Sequence, residues 1–361
     1  MKIAETAVAD VAPIPVMTGR QRFLAAARRE RVDTTPIWFM RQAGRSLPEY
    51  RALRERHRFM TVATTPELAA EATLMPVERL GVDAAVLFAD IMLPLASLDV
   101  PFEIRPGVGP VILNPIRTIS DVERLEAIPA AEATPYVMAA LRLLREALGE
   151  RAALLGFAGA PFTLACYLIE GKPAREFPRA KALMYGDPAT WALLIDRLTD
   201  VTIDYLRAQI AAGADAVQLF DSWLGLLDPV SYGQCVWPST RRIFQAIAPL
   251  APALHFSTGT APLLEQIAAS GCTGVSVDWR LPIDVAWERI GPDLAIQGNL
   301  DPSLVLAPWS TVERAASDVL GRIGHRQGHI FNLGHGILPE TDPGILAELV
   351  RFVHERGEPG S

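Results

Sequence analysis

The sequence predicts an α/β protein, a single (β/α)8 TIM barrel with a small β-hairpin insertion. Three observations lead there. Eight short, mostly apolar runs recur along the 361-residue chain, over 36–40, 84–89, 153–157, 216–220, 253–256, 274–277, 294–297 and 329–333. Each is followed by a segment long enough for a helix. None alternates cleanly between apolar and polar residues, which is the pattern of strands covered on both faces. A doubly wound open sheet is the competing fold. Eight units in one chain of this length favour closure, since such barrels run past ~250 residues as one domain.

The helices carry their own start signals. Asp187-Pro188, Asp301-Pro302 and Asp342-Pro343 each place a capping carboxylate before a proline suited to the first helical position. Apolar residues over 191–210 recur at three- and four-residue spacing, and the pattern ends at Gly213. The exception to the βα rhythm lies at 100–104 and 111–114, joined through Pro106-Gly107-Val108-Gly109-Pro110, which reads as a hairpin within the second connection. Nothing resembling a linker divides the chain. Residues 1–16 read as a flexible tail and 17–361 as one catalytic domain.

Composition narrows the function. Half of the residues are hydrophobic and the formal net charge is -7, which argues against general nucleic-acid binding. No apolar run approaches the ~20 residues that span a bilayer, and the N-terminus lacks the basic-then-apolar pattern of a signal peptide. A cytoplasmic location is therefore expected. Cys166, Cys235 and Cys272 are too few and too scattered for a disulfide framework or a CxxC metal site.

In such barrels the chemistry sits at the carboxyl ends of the strands. The first run leads into Arg41-Gln42-Ala43-Gly44-Arg45, and from there to Arg58 six arginines face two glutamates. Guanidinium forks grip carboxylates in bidentate fashion and stay charged at any working pH. Gly44 lets backbone approach a ligand. Arg41 and Arg45 are expected to bind ligand, whereas Arg51, Arg54, Arg56 and Arg58 read as a solvated basic helix. The second run ends at Asp90, a carboxylate that is costly there unless it pairs with Arg41 or Arg45 or awaits a donor-bearing ligand. Tyr167 follows the third run and is either core or catalytic. Ser222 follows the fourth, outside any G-x-S-x-G elbow, so it reads as a positioning hydroxyl. His335, between two glycines after the last run, is expected at the barrel mouth. His325 and His329 sit four apart, but flanking glycines argue against a helix and hence against a metal pair.

Four segments resemble signatures of the uroporphyrinogen decarboxylase family. They are Pro36-Ile37-Trp38-Phe39-Met40-Arg41-Gln42-Ala43-Gly44-Arg45, Gly156-Phe157-Ala158-Gly159-Ala160-Pro161-Phe162-Thr163-Leu164, Gln297-Gly298-Asn299-Leu300-Asp301-Pro302 and Asn332-Leu333-Gly334-His335-Gly336. The resemblance implies a carboxy-lyase of porphyrin and heme biosynthesis, a cytoplasmic, cofactor-independent homodimer without metal. Its substrate would be uroporphyrinogen, whose four acetate side chains become methyl groups. It places substrate contacts on Arg41, Gln42, Ala43, Gly44, Arg45, Asp90, Tyr167, Ser222 and His335, with Asp90, Arg41, Arg45, Tyr167 and His335 in catalysis. Phe162 stands where the family often has Trp, and Asp221 where it often has Glu. Two other readings remain: a corrinoid or thiol methyltransferase of the same superfamily, and a tetrapyrrole-binding protein without activity. The first needs a zinc-bound thiolate, and His255-Phe256-Ser257 lacks one.

The residue types suit the chemistry. Losing CO₂ from an acetate needs an electron sink, and a pyrrole protonated on a ring carbon is its own sink, so the reaction asks for no cofactor. It asks for a buried anion near the pyrrole nitrogens, cations to orient carboxylates, and a proton donor. Asp90 is expected to supply the anion. Arg41, a held water and His335, whose ordinary pKa is near neutrality, are the candidate donors.

Overall fold

A computed structural model describes residues 15–105, 107–324 and 326–357. Most of the expected N-terminal tail, together with Pro106 and His325, lies outside them. Among the described residues nine strands form: β1 Ala84–Val86, β2 Phe102–Arg105, β3 Gly109–Ile112, β4 Ala153–Gly159, β5 Ala216–Asp221, β6 Ala253–Ser257, β7 Gly274–Ser276, β8 Ala295–Leu300 and β9 His329–Leu333. Seven of them make one curled parallel sheet, a half-barrel in the order β1-β4-β5-β6-β7-β8-β9. β2 and β3 pair antiparallel as a separate two-stranded sheet, from Phe102 opposite Ile112 to Arg105 opposite Gly109.

The strand expected over 36–40 differs. It makes a single parallel bridge, Ile37 to Phe331, with Phe331 N–H donating to Pro36 O at 2.8 Å. On the other side Asp83 N–H donates to Ile37 O at 2.9 Å. The segment thus runs between β9 and the entry to β1, but side chains take the places of ladder partners. Ile37 N–H donates to Asp83 Oδ2, Phe39 N–H to Gln42 Oε1 and Met40 N–H to Asn332 Oδ1. Pro36 has no N–H to offer. These substitutions are why a ladder does not develop.

Two of the three Asp-Pro start signals act as expected. Asp187 accepts from Thr190 N–H and opens the helix Pro188–Ala211. Asp342 accepts from Gly344 N–H and opens Pro343–Arg356. Asp301 does not start an α-helix. It accepts from Ser303 N–H at 2.8 Å, and only a 3-10 turn, Leu304–Leu306, follows. Ala307 is extended ahead of Pro308, as residues before proline tend to be, so the helix begins at Trp309.

Polar side chains bridge the strands of the curled sheet. Trp38 Nε1 donates to Gln297 Oε1 at 2.8 Å, and Gln297 Nε2 donates to Gln218 Oε1 and Ser276 Oγ, both at 2.9 Å. At the amino ends of the strands, two carboxylates gather the chain. Asp83 takes Ile37 N–H, Arg22 and His354. Asp215 takes Arg20, Arg145 and Leu154 N–H. No helix among the described residues is long and apolar enough to cross a membrane.

Candidate active site

At the opposite, carboxyl ends of the strands the polar side chains are far less satisfied. The loop after residue 40 is shaped by its own residues. Arg41 takes a positive φ of 60°, unusual for a non-glycine residue. Its carbonyl would lie 2.6 Å from a Cβ at position 44, so Gly44 is required there. The Gln42 side chain is buried and turned inward. It accepts Phe39 N–H at 3.0 Å and donates to Ala84 O at 2.9 Å, which ties this loop to β1. Ala43 is half-buried. Arg51 braces the loop from the helix Pro48–Arg56, donating to Arg45 O at 2.8 Å and Ser46 O at 3.1 Å. The flanking arginines are thus partly backbone braces: Arg54 donates to His57 O and Arg56 to Ala52 O.

Arg41 and Arg45 are exposed, and neither guanidinium has a hydrogen-bond or ion-pair partner among the described residues. The aliphatic part of Arg41 lies over Gly336, where a Cβ would come within 2.5 Å of its Cδ. Asp90 is half-buried beyond β1. One carboxylate oxygen accepts Met92 N–H at 2.9 Å, and no ion pair to Arg41 or Arg45 forms. Burial pushes the Asp90 carboxyl up from its ordinary range, while the Met92 N–H and the Arg41 charge pull it back.

Tyr167, on the helix Pro161–Glu170, packs edge-on against Phe177 and Trp223 with ring centroids 5.7 and 6.2 Å away. Burial raises its hydroxyl, and the charges of Asp90 and Arg41 act on it in opposite directions. His335 stands two residues beyond β9, its ring 5.8 Å from that of Phe256. Its Nδ1 accepts Gly336 N–H at 2.7 Å, so Nε2 carries the proton of the neutral ring. Burial lowers this imidazole to about 4, helped by the Arg41 and Arg280 charges. His335 is therefore neutral at pH 7, contrary to the expectation of a group titrating near neutrality. Arg41, Asp90, Tyr167 and His335 share one electrostatic neighbourhood. Arg45 acts on Tyr50 instead, and Ser222 is half-buried directly after β5, its carbonyl receiving Thr258 Oγ1 at 3.4 Å.

Three features escaped the sequence reading. Asp221 ends β5 fully buried, with Thr163 Oγ1 donating to Oδ1 at 2.8 Å and Oδ2 without a partner. Burial pushes this carboxyl up to about 7. Trp223 packs on Tyr167. Asp278 and Arg280 form an ion pair at 2.7 Å just past β7. The signal for the last was available, since Val277-Asp278-Trp279-Arg280 follows an apolar run as Asp90 does. No group of three or more His, Cys, Asp or Glu side chains suited to a metal ion occurs among the described residues. His255 is buried and its ring faces Phe244 at 5.8 Å.

Against this geometry the chain can be compared with known proteins. The family model described as "Uroporphyrinogen decarboxylase (URO-D)" matches residues 18–356. The chain belongs to the uroporphyrinogen decarboxylase family. Relatives in the family named uroporphyrinogen decarboxylase include one from Streptomyces griseus, 51% identical over 335 residues covering 92% of this chain and 91% of the relative. Another, from Streptomyces coelicolor, is 51% identical over 341 residues, 94% of this chain and 96% of the relative. Among solved structures, a methyltransferase from Methanosarcina mazei superposes with a TM-score of 0.77 at 20% identity, covering 94% of this chain and 99% of its own. A B12-independent methionine synthase from Shewanella sp. W3-18-1 gives 0.55 at 9% identity, covering 80% and 86%. At those identities the structures share the fold alone.

Proposed function

We propose that this protein removes CO₂ from the four acetate side chains of uroporphyrinogen III and releases coproporphyrinogen III, a carboxy-lyase reaction of porphyrin and heme biosynthesis that uses no cofactor. The observation that carries the reading is the pairing deficit at the mouth. Among the described residues two arginines without partners and a carboxylate with one backbone donor stand at the carboxyl ends of the strands, in a family whose named members are uroporphyrinogen decarboxylases. A half-buried carboxylate with one donor is costly to keep unless a ligand completes it, and two exposed guanidinium groups beside it are free to take carboxylates.

The substrate supplies the complement. Its pyrrole N–H groups donate to Asp90, and its carboxylates accept from Arg41 and Arg45. Protonation of a ring carbon makes a cation that the Asp90 carboxylate stabilises. The acetate C–C bond breaks toward that cation, CO₂ leaves, and an exocyclic methylene remains. A proton delivered to the methylene gives methyl, and the ring proton is lost as the pyrrole is restored. Each cycle consumes one net proton. His335 contributes its Nε2–H as a neutral donor to a carboxylate and is not the acid, because its ring titrates near 4. Tyr167 and Ser222 bind and orient the macrocycle, with the backbone of Gln42, Ala43 and Gly44 along its rim.

The reading extends to the whole chain: residues 36–40 close the sheet as an eighth strand of a TIM barrel, with β2 and β3 as a hairpin insertion. Residues 17–361 act as one catalytic domain, and the enzyme works as a cytoplasmic homodimer. Anaerobic incubation with uroporphyrinogen III, followed by separation of oxidised products by carboxylate number, tests it. Stepwise hepta- to tetracarboxylate species are expected; folded protein giving none would reject the activity.

A further inference from the structure

We propose that Arg280 is a carboxylate-binding residue of this site, taking one side-chain carboxylate of the substrate together with the Nε2–H of His335. This rests on the decarboxylase reading above. The loop after β7 is built as a mount for that guanidinium. Asp278, buried, accepts Gly259 N–H at 2.6 Å and Arg280 N–H at 2.9 Å, and its Oδ2 also pairs with Arg280 Nη1 at 2.7 Å. The guanidinium lies 4.3 Å from the centroid of the Trp279 ring, so stacking fixes its plane as the ion pair fixes its rotation.

One nitrogen is thereby engaged and the Nε/Nη2 edge is left without a protein partner among the described residues. That edge is the one that holds a carboxylate in bidentate fashion. The side chain is 54% exposed, so a ligand can reach it. The loop also touches the turn that presents His335. A Cβ at Gly334 would lie 2.6 Å from Trp279 N and 3.0 Å from the Asp278 carbonyl carbon, which presses the β7 loop against the turn that presents His335. His335 Nδ1 is engaged by Gly336 N–H, leaving Nε2–H as the free donor. Arg41 approaches the same turn over Gly336. His335 is therefore flanked by two guanidinium groups, and the sequence reading found only one.

A macrocycle with eight carboxylates can use a second cation beside His335, in addition to Arg41. The test uses the full-length enzyme and its R280Q and R280K variants. Uroporphyrinogen turnover is read as KM and kcat. Quenching by uroporphyrin, an octacarboxylate, and coproporphyrin, which keeps only the propionates, gives Kd. For R280Q we expect KM and the uroporphyrin Kd to rise about tenfold, with kcat within about threefold and Tm unchanged. R280K, which keeps the charge but not the fork, should fall between. A parallel loss for coproporphyrin would assign the contact to a propionate, and a loss for uroporphyrin alone to an acetate. Unchanged KM and Kd in folded R280Q would overturn the proposal. So would a fall in Tm with equal losses in both variants, which would make Arg280 a brace for Asp278. If the wild type binds porphyrin without turning over uroporphyrinogen, the decarboxylase reading fails, while the Kd of R280Q still decides this one.

Discussion

The two ends of the sheet carry similar residues in opposite states. At the amino ends, Asp83 is met by Arg22, His354 and a backbone N–H, and Asp215 by two arginines and a backbone N–H. At the carboxyl ends, among the described residues, Arg41 and Arg45 have no partner, Asp90 has a single backbone donor and Asp221 keeps an oxygen unbonded. Apart from the Asp278–Arg280 pair past β7, charge is paired at the amino ends and unpaired at the carboxyl ends, the division expected between holding a fold and holding a ligand. The contrast locates function without reference to which residue types are present, since both ends use Arg and Asp.

The sharpest way to break that comparison is to remove one carboxylate from each end. D90N should lower kcat about 100-fold or more and leave Tm unchanged or raised, because that carboxyl is disfavoured by its burial. A near-wild-type rate in steady-state kinetics would remove Asp90 from the chemistry. D83N should do the reverse. It leaves Arg22, whose side chain is 11% exposed, without one of its two anions, at a cost of about 3 kcal/mol. Thermal melting should show a fall of several degrees, with kcat of the folded fraction within about threefold.

A smaller effect concerns pH. Asp221 titrates near 7 when folded and near ~3.9 when unfolded. The folded state therefore holds the extra proton between those values, and Asp221 makes stability fall as pH rises from about 4 to about 7. His335 and His329, lowered to about 4, and His255, lowered to about 3, act oppositely. They make stability rise up to the unfolded histidine value of about 6.5. In D221N the rise below pH 6.5 should steepen by about 2 kcal/mol in all. Melts from pH 4.5 to 8 decide it; an unaltered profile would mean that Asp221 does not titrate in this range.

The smallest expected change is at His335. H335N should raise KM about threefold to tenfold through loss of a donor to a carboxylate. The acid limb of the rate profile above pH 5 should not move. A limb that disappears in this variant would restore His335 as the titrating acid.

Much of the site was legible because the barrel rule converts sequence position into place. Arg41, Asp90, Ser222 and His335 were found simply as the polar residues that end apolar runs, and Asp187 and Asp342 as caps with an adjacent proline. Three matters were not legible. The run at 36–40 has strand composition, yet three of its N–H groups are taken by the Asp83, Gln42 and Asn332 side chains, from 3 to 292 residues away. Gln42 looks like a ligand contact by its neighbours, yet its amide is turned inward. Asp301-Pro302 has the same local signal as the two working caps, and a second proline, Pro308, decides against it.

Sequence by itself determined which groups carry chemistry: the guanidinium forks, the carboxylates, the strand-end order and the family signatures are all local or covalent facts. Tertiary structure decided their charge state and their company. Whether His335 is an acid or a neutral donor depends on burial and on two arginines distant in the chain, and whether Arg280 belongs to the site depends on Gly334 admitting Trp279 to contact. Electrostatic energies depend on distance and solvent exposure, and neither is written in the order of residues.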